Sequence, residues 1–434
     1  MEPDSMGTLG NYARRKFSTT FSSLKHRNFR LYFMGQIVSN TGNWLTNIAM
    51  TLLVLKLTHS GLAVGILTAC QYGPILILSI WGGVIADRHN KQHLLLLTQS
   101  LEMAESIGLA VLAFLPHTSL IGLYILAAAG GIFLAFDNPT RRSFVSEMVP
   151  EEDVANAIVM YSTIVNMSRI LGPLLAGILI VTIGYGWCFS VDAISYLAVL
   201  YSLIRMRPQE LYRHRSKTQL KGAVRAGLRY VLSQPTLWIS FLMLTIIGVL
   251  SYNFSVTLPL FVTDGLHKAS ATYTVIYSVM SVGSVIAALV IAHKTLVRLR
   301  HAIAGAMALG IAMLALAASP NVITATSVAF FIGGASILYT TSTTSLAQIT
   351  AEPSMRGRVL ALQTVLLIGT TPIGGPFLGW LADNFGGRLP LVLGGIASIA
   401  AASIGYGISQ LYRNSNSTHG SMESRVISHE TKAI

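Results

Sequence analysis

Four amide side chains, Gln36, Asn40, Asn43 and Asn47, recur at steps of four, three and four residues, which sets them on one stripe of a helix. Amides both donate and accept hydrogen bonds, so the stripe can hold a polar ligand or tie its helix to neighbours. Four charged residues stand inside otherwise apolar runs: Glu102 and Glu105 in one, Arg169 in a second, Asp192 in a third. A carboxyl group there can carry a proton or pair with a cation, and an arginine can pair with a carboxylate or hold an anion. Other chemistries have no foothold. None of the 11 histidines lies in the middle of an apolar run, and no acids cluster at metal-ligand or acid/base spacing. Cys70 and Cys188 lie far apart inside apolar runs, which excludes a disulfide framework, a zinc site or a redox motif. No Gly-rich loop followed by Lys-Ser/Thr occurs, so ATP is not the energy source. The expectation is binding and proton carriage without catalysis, metal or cofactor; a membrane-embedded enzyme or a sensor is the alternative class.

A membrane must position these residues. Of 434 residues, 52% come from the set AVILMFWYC and 11% are charged, with a mean hydropathy of +0.60, a composition foreign to soluble domains. Twelve apolar runs read as spanning helices, at about 30–56, 61–86, 93–115, 119–137, 154–182, 188–206, 237–262, 271–293, 301–319, 321–346, 358–382 and 389–411. With both termini in the cytoplasm, 26 of the 30 Lys and Arg residues fall on the inner side, three on the outer, and one, Arg169, inside a span. That asymmetry is what the positive-inside rule requires. It also accounts for the net charge of +13 without nucleic acid. The chain thus divides into a cytoplasmic amino tail (1–29), a first six-helix half (30–206), a basic cytoplasmic connector (207–236), a second six-helix half (237–411) and a cytoplasmic carboxyl tail (412–434) that reads as disordered. The basic cluster at 205–229 is a topology determinant.

The halves echo each other. Gly172-Pro173-Leu174-Leu175-Ala176-Gly177 returns as Gly375-Pro376-Phe377-Leu378-Gly379-Trp380 at an offset of 203, and Ile183-Gly184-Tyr185-Gly186-Trp187 as Asn384-Phe385-Gly386-Gly387-Arg388 at 201. A six-plus-six duplication is the repeat of a transporter whose substrate site lies between its halves.

Between the second and third spans, Gly82-Gly83-Val84-Ile85-Ala86-Asp87-Arg88-His89-Asn90-Lys91 resembles the signature loop of the major facilitator superfamily, with Gly83, Asp87, Arg88 and Lys91 in register. Asn90 replaces a glycine, as a residue that tolerates a left-handed turn. Asp137-Asn138-Pro139-Thr140-Arg141-Arg142, Ser39-Asn40-Thr41-Gly42-Asn43-Trp44 and Arg169-Ile170-Leu171-Gly172-Pro173 resemble the enterobactin-exporter-like branch of bacterial efflux permeases. The resemblance covers about residues 25 to 410. It implies an all-helical, twelve-span major facilitator fold in the cytoplasmic (inner) membrane and a monomer working by alternating access. It also implies a secondary transporter, an antiporter using protons to export a small amphipathic compound, a siderophore or a drug; import or lipid transport is the alternative.

By the same resemblance Asp87 and Arg88 form an inner clasp between the halves. Gly172 and Pro173 carry half of the exporters' fifth-helix motif, a kink in that span. The first, fourth, seventh and tenth spans line the cavity, with Gln36, Asn40, Asn43, Asn47, Tyr252, Asn253 and Tyr339 as its residues. The fourth-helix arginine of proton-coupled members has no equivalent in the uncharged stretch 119–136. Residue counts from the span ends put Arg169 and Glu105 at similar depth, so Glu105 is its expected partner and Glu102 the second choice.

Overall fold

The structure, a computed structural model, describes residues 21–212, 223–291, 298–352 and 355–430. Most of the amino tail, the central part of the connector and Lys294 lie outside them. The described residues form helices: α1 (Arg27–Thr58), α2 (Gly61–Arg88), α3 (Lys91–Phe114), α4 (Leu120–Glu147), α5 (Val154–Thr182), α6 (Tyr185–Ile204), α7 (Ala223–Ser233), α8 (Pro235–Leu250), α9 (Phe254–Leu260), α10 (Thr272–Ile291), α11 (Leu299–Ala317), α12 (Val322–Thr350), α13 (Arg356–Ile368), α14 (Thr371–Phe385) and α15 (Leu389–Glu430). Eleven stretches are long and apolar enough to cross a membrane, two of them composite: α8 with α9, and α13 with α14. α1 is long enough to be a twelfth, at 32 residues. Its asparagines lower its hydropathy.

Helix ends follow local chemistry. The side chains of Ser60, Asn90, Ser119 and Asn321 accept hydrogen bonds from the first-turn amides of α2, α3, α4 and α12. Asn90 therefore does not make the expected left-handed turn. Its φ is −67°, and its Oδ1 accepts from Gln92 and His93. Gly184 and Gly386 stand 202 residues apart at the same place in the two halves, each with φ +92°, a conformation that side chains disfavour.

Three expected boundaries move. α4 continues ten residues past Asp137 to Glu147 with Pro139 inside it, and the i,i+4 pair of Asp137 and Arg141 spans the turn that Pro139 weakens. Residues 223–233 of the connector are the helix α7, which packs on α8 and α13. α15 runs to Glu430, so helix replaces the expected disorder of the carboxyl tail up to that residue; no proline interrupts it.

The described residues fall into two compact units, one within Met1–Thr218 and Ala269–Ser278, the other within Gln219–Lys268 and Val279–Ile434. The first turns of α10 thus belong with the first unit, where Ser278 donates to the carbonyl of Ile170. In the first unit a core of Phe29, Tyr32, Leu95, Phe144, Met148, Met160, Val199 and Leu203 joins one end of five helices. Lys91 reaches Glu147 at 2.5 Å there.

Backbones touch in each unit through glycine. A methyl group on Gly131 of α4 would overlap the carbonyl of Gln71 in α2, and one on Gly333 of α12 would overlap that of Met280 in α10. These glycines too are 202 residues apart. Gly333→Ala is expected to lower stability by about 1–3 kcal/mol or more, since rigid backbone must move. Gly83→Ala, where nothing stands within 4 Å of the new methyl, should leave the melting temperature unchanged or slightly raised. Thermal melts of the two purified variants check the contrast.

Candidate functional site

Arg141 is the buried charge that sequence inspection left in a loop. The extension of α4 carries it inside, with 4% of its side chain exposed, beside Glu102 at 3% and Asp137 at 0%. Its guanidinium pairs with Asp137 one turn earlier and stands 3.9 Å from Glu102. Gln99 Nε2 donates to both acids, at 2.9 Å each, and Thr98 Oγ1 donates to Asp137. From α1, the Oε1 of Gln36 and the Oδ1 of Asn40 accept from Arg141 at 3.2 and 3.5 Å. The fourth helix does carry an arginine, contrary to expectation. Asp-Asn-Pro reads as a helix end; the signal that could have found Arg141 is its i,i+4 spacing from Asp137.

Above this cluster lies a cavity of about 60 Å³ inside the first unit, lined by Asn43, Asn47, Glu102, Glu105, Asp192 and Tyr196 among others. It has room for a few waters and is far below the roughly 300–1,000 Å³ of a drug-sized pocket. Asp192 is well held: Thr46 and Ser106 donate to Oδ2 at 2.7 and 2.8 Å, and Ser195 to Oδ1 at 3.3 Å. Glu105 lies against Gly130, where a methyl group would overlap its carboxylate, with no hydrogen bond from any described residue. Asn43 donates to the Tyr196 hydroxyl at 3.0 Å, and Asn47 to the carbonyl of Asn43. The amide stripe is thus split. Gln36 and Asn40 serve Arg141, and Asn43 and Asn47 line the acid cavity.

Arg169 does not meet Glu105 or Glu102. Its guanidinium lies over the ring of Trp44, 5.2 Å from the centroid, and among the described residues no carboxylate comes within 4 Å. The reason is packing. α5 presses on α1 where Gly172 meets Trp44, and Arg169, one turn earlier on that face, meets the same side chain. α3 packs instead on α4 and α6, and takes its acids there. α5 is helical through Pro173, which is buried.

In the second unit the seventh span is interrupted at 251–253 between α8 and α9. Asn253 Nδ2 caps the break, donating to the carbonyls of Gly248 and Val249, while its Oδ1 is buried without a partner. The rings of Tyr252 and Tyr339 stack at 6.3 Å, and Tyr252 donates to the carbonyl of Ser336. The Tyr339 hydroxyl is buried and unpartnered. The eleventh span breaks beside it at Gly369–Thr370, with Thr370 packed on Gly248. Interrupted spans with free polar groups at mid-depth are the construction of transporter binding sites. At the carboxyl end of α2, Asp87 and Arg88 are exposed.

These elements define a polytopic membrane protein built to bind and pass a solute within the bilayer. The family described as transmembrane secretion effector matches residues 18–430, and the chain belongs to that family of major facilitator transporters, which are not enzymes. The chain is 24% identical over 386 residues to the staphyloferrin A transporter of Staphylococcus aureus, covering 88% of this chain and 96% of that protein. It is 26% identical over 270 residues to the enterobactin exporter of Shigella flexneri, covering 61% of this chain and 62% of that protein. That second match spans less than two thirds of the relative. A bacterial homolog of the human lysosomal transporter Spinster superposes with a TM-score of 0.71 at 17% identity, over 88% of this chain and 97% of that one. A peptide transporter of the POT type gives 0.72 at 11%, over 88% and 94%. Both share the fold.

Proposed function

We propose that this transporter works as a monomer in the inner membrane, with both termini in the cytoplasm, and exports a small amphipathic compound of the siderophore or drug class in exchange for protons. The observation that carries the reading is the acid cluster of the first unit. Glu102 and Asp137 share one guanidinium, that of Arg141, and Glu102 joins Glu105 and Asp192 around a polar cavity that no other cation enters among the described residues. A proton is the cation that such a cluster still lacks, and taking it up or releasing it changes the charge buried in the unit by one. Substrate then binds at the amide, hydroxyl and aromatic groups of the interrupted spans, and Asp87 with Arg88 acts as the inner clasp. The siderophore class is supported by the two relatives, one a staphyloferrin A transporter and the other an enterobactin exporter.

Reconstituted into vesicles with the cytoplasmic face inside, the protein should release a loaded siderophore faster when the outer medium is made more acidic than the lumen. Flux indifferent to the gradient overturns proton exchange. Uptake driven by the same gradient overturns export.

A further inference from the structure

We propose that Arg169 and Trp44 form an oxyanion subsite, which takes a carboxylate or comparable anionic oxygen pair on the transported compound. The inference rests on the transporter reading and adds a charge to its substrate. Arg169 lies fifteen residues from Val154 and thirteen from Thr182, in the middle of its helix. A guanidinium at that depth needs compensation. Arg141, which is buried among the spans where Arg169 is half-buried, has it from two carboxylates and two amides. Arg169 has none among the described residues: no carboxylate lies within 4 Å, its guanidinium donates to no acceptor there, and Nε is buried without a partner.

What surrounds it suits a ligand with an apolar body. One face of the guanidinium is covered by the Trp44 ring, which leaves the edge, where the N–H groups point, to meet an anion in a two-pronged contact. Tyr277 continues the shelf, its ring 6.1 Å from Trp44, and Tyr273 stands 5.7 Å beyond. A planar cation on the first ring of an aromatic row fits an oxyanion attached to a ring or chain. A lipid headgroup phosphate offers the same oxygen chemistry, so the test must separate it from a solute.

The test measures equilibrium binding of naphthoate and of its neutral isostere naphthamide to the full chain in phosphatidylcholine nanodiscs. Wild type is expected to prefer the carboxylate by about tenfold. Arg169→Gln should abolish that preference while binding naphthamide within about twofold of wild type, which also certifies its fold. Arg169→Lys keeps the charge but not the planar fork, and should lose several-fold of the preference. A wild type without preference, or a preference unchanged in either variant, overturns the subsite. Phosphatidylglycerol added to the discs distinguishes the sources. Displacement of naphthoate assigns the site to a headgroup and no displacement assigns it to a solute, and both support an oxyanion site. Proton-driven efflux in wild-type vesicles reports the transporter reading alone, so its failure is not confused with failure of the carboxylate preference.

Discussion

Replacing Arg141 with glutamine should remove most of the folded protein. Asp137 and Glu102 are both buried, and Gln99 holds them onto a common donor, so without the guanidinium two like charges face each other in a site closed to bulk water. Taking one partner from a buried ion pair costs about 3–5 kcal/mol, a large share of the stability of an ordinary domain. The expected result is a sharp drop in monodisperse protein after extraction and a fall in melting temperature of many degrees. Adding Asp137→Asn to Arg141→Gln should recover much of the loss, because the remaining polar groups can then pair as neutral donors and acceptors. A single variant that melts with wild type would mean that the cluster does not hold the unit together.

Glu105→Gln should leave the fold intact and uncouple the protein. Among the acids that line the cavity, Asp192 is held by three hydroxyls and Glu102 by Gln99 and Arg141, whereas Glu105 has no donor among the described residues and rests against Gly130. The side chain that is not tied is the one that can change its protonation without breaking a network. Proton-driven efflux is expected to fall at least tenfold, about 1.4 kcal/mol or more at 25 °C, while substrate exchange without a gradient continues. Asp192→Asn, by contrast, turns an amide N–H₂ toward hydroxyls that were donating, and should cost about 1–3 kcal/mol of stability as well. Proteoliposome flux read beside thermal melts separates the two. If Glu105→Gln retains gradient-driven flux, the coupling proton sits elsewhere.

Much of the scaffold was legible in the sequence, for physical reasons that particular residues make plain. Apolar runs bounded by Ser60, Asn90, Ser119 and Asn321 give helix starts because a capping side chain is a local device. The repeat was visible in the Gly-Pro echo of Gly172-Pro173 and Gly375-Pro376, but its register was not: the sequence offsets of 203 and 201 give way to the 202 that separates Gly184 from Gly386, two glycines with the same positive φ. The site was less legible, since it depends on which helix faces which. Asp137-Asn138-Pro139 looks like a stop and is not, so Arg141 was counted with the loops. Residue counts gave depth but not azimuth; Arg169 and Glu105 share a level and face different neighbours. The break at Ser251-Tyr252-Asn253 contains neither Gly nor Pro. It is sustained by Asn253 reaching back to two carbonyls and by Ser251 donating to Gly394, contacts that only the folded unit supplies.

The charged cluster also bears on how the protein is made. Its members run from Gln36 to Asp192, so every group that neutralises Arg141 has left the ribosome once α6 is complete. At a spacing of 202 residues the positions of Glu102, Glu105, Asp137, Arg141 and Asp192 fall on Ala304, Met307, Tyr339, Thr343 and Gly394, none of them charged. The costly part of membrane insertion is therefore confined to the half synthesised first, which can close its ion pairs before any of the second half emerges, and the half that follows enters the bilayer without a buried charge network to assemble.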